Sequence, residues 1–208
     1  MSNEELNKEN EMLEALMKSA LDNSAQAFSV MIKKKIDHHF HLERFDTATD
    51  LEDILAIYHE GQYTVLETKM LGDLRGVCYL MMEKTTSSQI AELTIPEFLK
   101  GKADAGMADA MLLELDNVLS AATITVFSNA MKKSTYGGVP GMKTLALNDL
   151  NTLLNKEYDK YRKGESPSPG LVVYAEYSVE GVTGLPGYVW VFNGDFCDVA
   201  VNQSILVV

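Results

Sequence analysis

Glu114 and Asn117 are the side chains whose types and spacing most invite chemistry in this sequence. Residues three apart on a helix share a face, so a carboxylate and an amide would stand side by side. Ala110 lies four residues before Glu114, and Ala121 lies four after Asn117. Two polar groups between two very small ones let another protein's surface come close. A Glu and an Asn are also ordinary on a solvated helix, so spacing alone leaves a plain surface as the alternative. The His cluster Asp37-His38-His39-Phe40-His41 is a second candidate. Alternate strand residues share a face, which would group Asp37, His39 and His41 as a trio of the kind that holds Zn²⁺ or Ni²⁺. The plain reading there is a polar helix-to-strand junction. His59 is isolated and reads as structural, and Asp195 and Asp198 read as loop charges. Cys78, Cys197 and the methionines read as core. No phosphate-cradling glycine loop, dinucleotide fingerprint or HExxH is present.

Periodicity shows the elements that must position these residues. Met12, Leu13, Leu16, Ala20, Ala27, Phe28 and Met31 recur at three- and four-residue spacings, which predicts a helix over the first 35 residues. Lys33, Lys34 and Lys35 close it, where the helix dipole favours cations. Strand character follows at 40–45, and 50–58 reads as a short helix. The β-type runs 63–70 and 74–83 turn at Gly72-Asp73 as a hairpin. Residues 87–99 predict one or two short helices broken at Pro96. The longest helical pattern runs 105–133, with Met111, Leu115, Val118, Leu119, Ala122 and Val126 on its apolar face. Tyr136-Gly-Gly-Val-Pro-Gly141 interrupts regular structure. A strand at 144–147, a helix at 149–161 and a polar linker at 163–170 follow. A second strand pair, 171–179 and 187–192, turns at 181–184. The apolar tail 205–208 reads as a last strand or a docked end.

This order is nearly one unit written twice. Ala27-Phe28-Ser29 before Lys33-Lys34 matches Val126-Phe127-Ser128 before Lys132-Lys133 at an offset of 99. The same offset pairs Met12 with Met111, Leu13 with Leu112 and Leu16 with Leu115. In the hairpins, Gly76 before Val-Cys-Tyr-Leu corresponds to Gly187 before Tyr-Val-Trp-Val at 111. The expectation is a single domain, 1–208, with an approximate internal repeat of 10–80 and 108–195. Each half has too little core to stand alone. The halves would merge into one antiparallel sheet covered by long helices, an α+β fold of two pseudo-symmetric halves. The first helix carries Ala15 and Lys18 where the second has Glu114 and Asn117.

The chain has 208 residues, 46% of them hydrophobic and 23% charged, a globular composition. That excludes disordered, collagen-like and disulfide-scaffold classes and allows a full core. A formal charge of −12 repels nucleic acid and anionic lipid. Two cysteines fit a reducing compartment. The acidic start, MSNEELNKENE, lacks the basic and apolar regions of a signal peptide and is not expected to act as one. No apolar run approaches the roughly 18 residues of a membrane span. These features predict a cytoplasmic protein without nucleic-acid or membrane partners.

The run Glu114-Leu-Asp-Asn117-Val-Leu-Ser-Ala-Ala-Thr-Ile-Thr-Val-Phe-Ser128 resembles the active-site helix of the CheC/CheX/FliY chemotaxis phosphatases. Their pattern is Asp or Ser, three residues, Glu, two residues, Asn, then 22 residues and Pro; here Pro140 stands 23 positions after Asn117. The resemblance spans nearly the whole chain, with 66–82 and 172–192 similar to the family's paired hairpins. Its size and two-half layout are closer to CheC than to the shorter CheX. Two features depart from the pattern. The Asp/Ser position falls on Ala110, with Asp109 one residue out of register, and Ala15 and Lys18 leave at most one site.

The resemblance implies hydrolysis of the aspartyl phosphate of a CheY-like response regulator. An acyl phosphate is already activated, so the reaction needs a water held in line with the leaving oxygen, not a protein nucleophile. A neutral amide both donates and accepts hydrogen bonds. Asn117 would hold the water, and Glu114 would pair with a cationic side chain of the regulator, its active-site lysine. The loop carrying Pro140 would complete the site. The protein would need no cofactor or metal of its own, with Mg²⁺ expected on the regulator. A CheD-like deamidase is a further partner suggested by the resemblance. The alternative, which Ala110 and the missing second site favour, is a non-catalytic adaptor of the same fold that docks a regulator or another chemotaxis protein.

Overall fold

A computed structural model describes residues 3–44, 59–102, 104–162 and 170–204. In chain order the elements are α1 (Asn3–Ile32), β1 (Ile36–Arg44), β2 (Gln62–Gly72), β3 (Gly76–Glu83), α2 (Lys84–Thr94) and a 3-10 turn (Glu97–Leu99). They continue with α3 (Ala105–Met131), β4 (Thr135–Gly137), β5 (Gly141–Ala146), α4 (Leu147–Arg162), β6 (Leu171–Val179), β7 (Gly187–Phe192) and α5 (Gly194–Ser204).

The two long helices pack together on one face of the sheet through matching stripes. In α1 the buried residues are 13, 16, 17, 20, 21, 24, 25, 28 and 32; in α3 they are 112, 115, 116, 119, 120, 123, 124, 127 and 131. Each α3 position is its α1 counterpart displaced by 99. The helices touch at matched positions too, since Asn23 Nδ2 donates to the Ala122 carbonyl at 2.8 Å. Their ends also correspond. Lys33 and Lys132 are the positive-φ residues other than glycine among the described residues, at 57° and 52°. The Ser29 and Ser128 hydroxyls donate to the carbonyls of Lys34 and Lys133. The lysines therefore stand beyond the last turn, where the left-handed residue stops the helix and starts the next strand, and do not extend that turn as the charge pattern suggested.

The sheet is antiparallel throughout, in the order β1-β6-β7-β3-β2, with β4 and β5 both paired to the outer side of β2. The order reads alike from either edge when β1 is matched with β4 and β5, β6 with β2, and β7 with β3. Each half thus lends its edge strand to the hairpin of the other half. The inner strands are covered on both faces and read as continuous apolar runs: every residue of β7, and all of β3 except Glu83, is buried. Cys78, Leu80 and Met82 share the helix-side core with Tyr188, Trp190 and Phe192, while Val189 lies in the core on the opposite face. A hairpin offset of 111, which matches Cys78 with Val189, therefore exchanges the two faces. An odd offset cannot relate β3 to β7, because strand side chains alternate with a period of two.

The opposite face carries Tyr63, Val65, Tyr79 and Val191 against Leu150 and Leu154 of α4. At the β2–β3 turn, Gly72 has φ of 107°, and a Cβ there would stand 2.3 Å from the Ser134 carbonyl, so glycine is required. Two expectations are corrected. Asp195 and Asp198 lie on α5 and not in a loop, and that helix buries Phe196 and Ala200 together with Cys197, the last as expected. In addition, α3 is by length and composition apolar enough to cross a membrane, although its apolar stripe forms part of the helix-side core. The expected helix at 50–58, all but the last residue of the linker at 163–170, and the tail at 205–208 lie outside the described residues.

Candidate functional site

Helix α3 starts at Asp104, whose carboxylate accepts from the Met107 amide at 2.9 Å, a strong N-cap. With the buried stripe set against the sheet, the outer face presents Ala110, Glu114, Asn117 and Ala121, all exposed. Among the described residues nothing pairs with the Glu114 carboxylate or the Asn117 amide. Only the Asn117 backbone carbonyl is engaged, by the Ser120 hydroxyl at 3.2 Å.

The facing wall comes from the edge of the sheet. Met70 pairs with Gly137 and Glu67 pairs with Gly141, so two β2 residues, Thr68 and Lys69, oppose three: Gly138, Val139 and Pro140. One extra residue on an edge strand makes a bulge that bends the strand out of the ladder. The Gly138 amide donates to the Lys69 carbonyl at 2.7 Å, which pins the base of the bulge. Pro140 brings no amide donor that a broken ladder would leave unmet. Val139 is 95% exposed at the tip. The result is one open groove of about 460 Å³, where Glu114 and Asn117 face the 137–140 loop across Leu113 and Ala110. The structure thus brings Glu114, Asn117 and Pro140 together. Asp109 is not part of the groove; it lines a different one with Gln62, Lys84 and Ser87.

The matching place in the first half is built differently. Strand β1 runs unbroken along β6 from Ile36 to Arg44, with no bulge. Lys18, which holds the position of Asn117, is paired to Asp22 at 2.7 Å, and Asp22 also meets His38 Nε2 at 2.9 Å. Lys18 and His38 hold the Asp22 carboxyl below its ordinary range against a smaller opposing effect of burial. No group of three His, Cys, Asp or Glu side chains among the described residues is placed to hold a metal ion. Asp37 of the proposed trio pairs instead with Lys35 at 2.7 Å. His59 takes part through its backbone, which exchanges hydrogen bonds with the Tyr63 hydroxyl. Cys78 and Cys197 are both buried and in no disulfide, and burial pushes the Cys78 thiol far up, away from reactivity.

Sequence reasoning passed over Asp116. It is fully buried under the groove, and Thr68 Oγ1 donates to its Oδ2 at 2.6 Å. Burial raises this carboxyl from 3.8 to about 7, against the opposing pull of that hydrogen bond. The signal that could have found it is its place in the apolar stripe, four residues after Leu112 and three before Leu119.

No family model and no curated sequence matches the chain. Solved structures do. FliY from Thermotoga maritima superposes with a TM-score of 0.66 at 16% identity, covering 99% of this chain and 98% of that one. A chain of the CheX–CheY–BeF3–Mg²⁺ complex from Borrelia burgdorferi gives 0.50 at 13% identity, covering 84% and 95%. A chain of the FliM–SpeE complex from H. pylori gives 0.54 at 9% identity, covering 99% of each. Arranged as one antiparallel sheet under paired long helices, this chain has the fold of the CheC/CheX/FliY chemotaxis proteins.

Proposed function

We propose that this protein hydrolyses the aspartyl phosphate of a CheY-like response regulator, with the 114–140 groove as its active site. The observation that carries the reading is the convergence, on one exposed groove, of an unpaired carboxylate, an unpaired amide and a bulged proline loop. The similarity to a CheX chain solved with CheY supports the choice of partner. Asn117 accepts a hydrogen bond from the attacking water and orients its lone pair along the line of the scissile P–O bond. Water adds to phosphorus, the Asp–phosphate bond breaks, and the regulator carboxylate and inorganic phosphate leave. Glu114, a full negative charge on the rim, engages a cation of the regulator and sets the docking register. Ala110 and Ala121 leave room for the regulator to approach the helix backbone. In this reading Mg²⁺ sits on the regulator, and the protein works beside it in the cytoplasm. The reading does not extend to a CheD-like deamidase, for which neither the fold nor its relatives give support.

Ala110, at the place of an Asp or Ser, favours one competing reading: an adaptor that docks the regulator without turnover. The test is phosphate release from a phosphorylated CheY-like regulator, measured with binding on the same samples. Release faster than from the regulator alone identifies a phosphatase. Saturable binding at an unchanged rate of release identifies the adaptor.

A further inference from the structure

Asp116 is the one buried carboxylate among the described residues, and the groove's function as read above does not use it. At the matching place in α1 stands Met17, so the stripe accepts an apolar side chain there. Asp116 Oδ1 has no hydrogen-bond partner, which makes the group costly to bury. What Asp116 does have is one directional bond, to Thr68. Thr68 is itself fully buried and lies opposite the bulge, between the Glu67–Gly141 and Met70–Gly137 pairs. Its methyl carbon is 3.4 Å from where a Cβ on Gly137 would stand. Its neighbour Lys69 holds Gly138. A short path therefore runs from Asn117 to Asp116, across to Thr68, along to Lys69 and across again to Gly138, joining the two walls of the groove. Apolar packing between α3 and β2 is non-directional and tolerates sliding; a hydrogen bond to a carboxylate does not.

On the reading that Asn117 holds the attacking water, we propose that the Asp116–Thr68 hydrogen bond fixes the separation between the Asn117 face of α3 and the Gly138–Pro140 loop, making both its partners positioning residues. A displacement of about 1 Å at a reacting centre costs on the order of 10²-fold in rate. The bond is strongest when Asp116 is ionised. The groups that face it are Cys78 from β3, Tyr188 from β7 and the Thr68 hydroxyl. Burial pushes the thiol and the phenol far up, so both stay protonated near neutrality.

The test uses the full chain with a phosphorylated CheY-like regulator, and compares wild type with Thr68→Val, Thr68→Ser and Asp116→Asn. Two quantities are read: kcat and KM, and hydrogen exchange at the Gly138 amide. Thr68→Val is expected to lower kcat by about 10-fold or more with KM within about 2-fold, and to speed Gly138 exchange. Thr68→Ser restores both. Wild-type kcat rises with pH through about 7, and Asp116→Asn removes that inflection. A folded Thr68→Val with wild-type kcat and wild-type Gly138 exchange overturns the proposal. If wild type shows no turnover, the phosphatase reading fails and exchange alone decides: faster Gly138 exchange in Thr68→Val upholds the strut, and unchanged exchange removes it. If Thr68→Val does not fold, the Asp116→Asn pH profile and Gly138 exchange decide in the same way.

Discussion

Replacing Asp116 by Asn should change how stability depends on pH, with a size and sign that follow from its burial. The carboxyl titrates at 3.8 in the unfolded chain and at about 7 in the fold. Between those values the folded state holds a proton that the unfolded state has released. Wild type is therefore most stable below about pH 4 as far as this group is concerned, and it loses that contribution as pH rises to about 7. Each pH unit in that window is worth about 1.4 kcal/mol, so about three units give a loss on the order of 4 kcal/mol. Asp116 is fully buried, so solvent screening does not reduce this figure. Asn cannot titrate and keeps an acceptor for Thr68, but it places an amide NH2 where Oδ1 has no partner. That costs about 1–3 kcal/mol at every pH. The assay is urea denaturation of both proteins at pH 4 and pH 8. The free-energy difference between mutant and wild type should move in the mutant's favour by several kcal/mol between the two pH values. A difference constant to within about 1 kcal/mol would refute the burial argument.

Three further outcomes are expected. Glu114→Ala should weaken regulator binding about 5- to 10-fold at low salt and flatten its salt dependence, as calorimetric titrations at two ionic strengths would show. Combining Ala15→Glu and Lys18→Asn in an Asn117→Ala background should restore no phosphate release, because β1 is continuous and offers no loop to face the new pair; recovered turnover would show that the bulge is dispensable. Phe127→Ala should cost about 3–5 kcal/mol in urea denaturation, since Phe127 is fully buried, edge-on to Trp190, Phe192 and Phe196 at 5.7, 5.5 and 5.1 Å.

Strands β6 and β7 were readable to the residue because burial on both faces gives apolar runs bounded by turn glycines, complete in β7 and interrupted in β6 only by Glu176 and Ser178 near its end. The Glu114–Asn117 pair was legible as neighbours on one helix face because helix geometry fixes its spacing, whereas Pro140 was singled out by the family pattern alone, 23 positions after Asn117. The strand β1 begins at Ile36, four residues ahead of the expected start, because the left-handed Lys33 stops the helix so abruptly. Helix α5 escaped because its core contribution is three residues, too few for a visible period. The hairpin correspondence was off because its parity depends on how many residues the turn leaves between the last paired positions: five lie between Met70 and Gly76, whereas ten lie between Glu176 and Gly187. Asp116 escaped because an Asp between apolar residues reads as a surface position. Only the fold sets its side chain against Thr68, 48 residues away in sequence.

The most direct test of the central claim is the rate of phosphate release from a phosphorylated CheY-like regulator in Mg²⁺, with wild type and Asn117→Ala side by side under saturating protein. Wild type should accelerate release over the regulator alone, and Asn117→Ala should lose on the order of 10²-fold of that acceleration while still binding the regulator. Wild-type acceleration in the Asn117→Ala protein would contradict the assignment of the groove as the place where water is held.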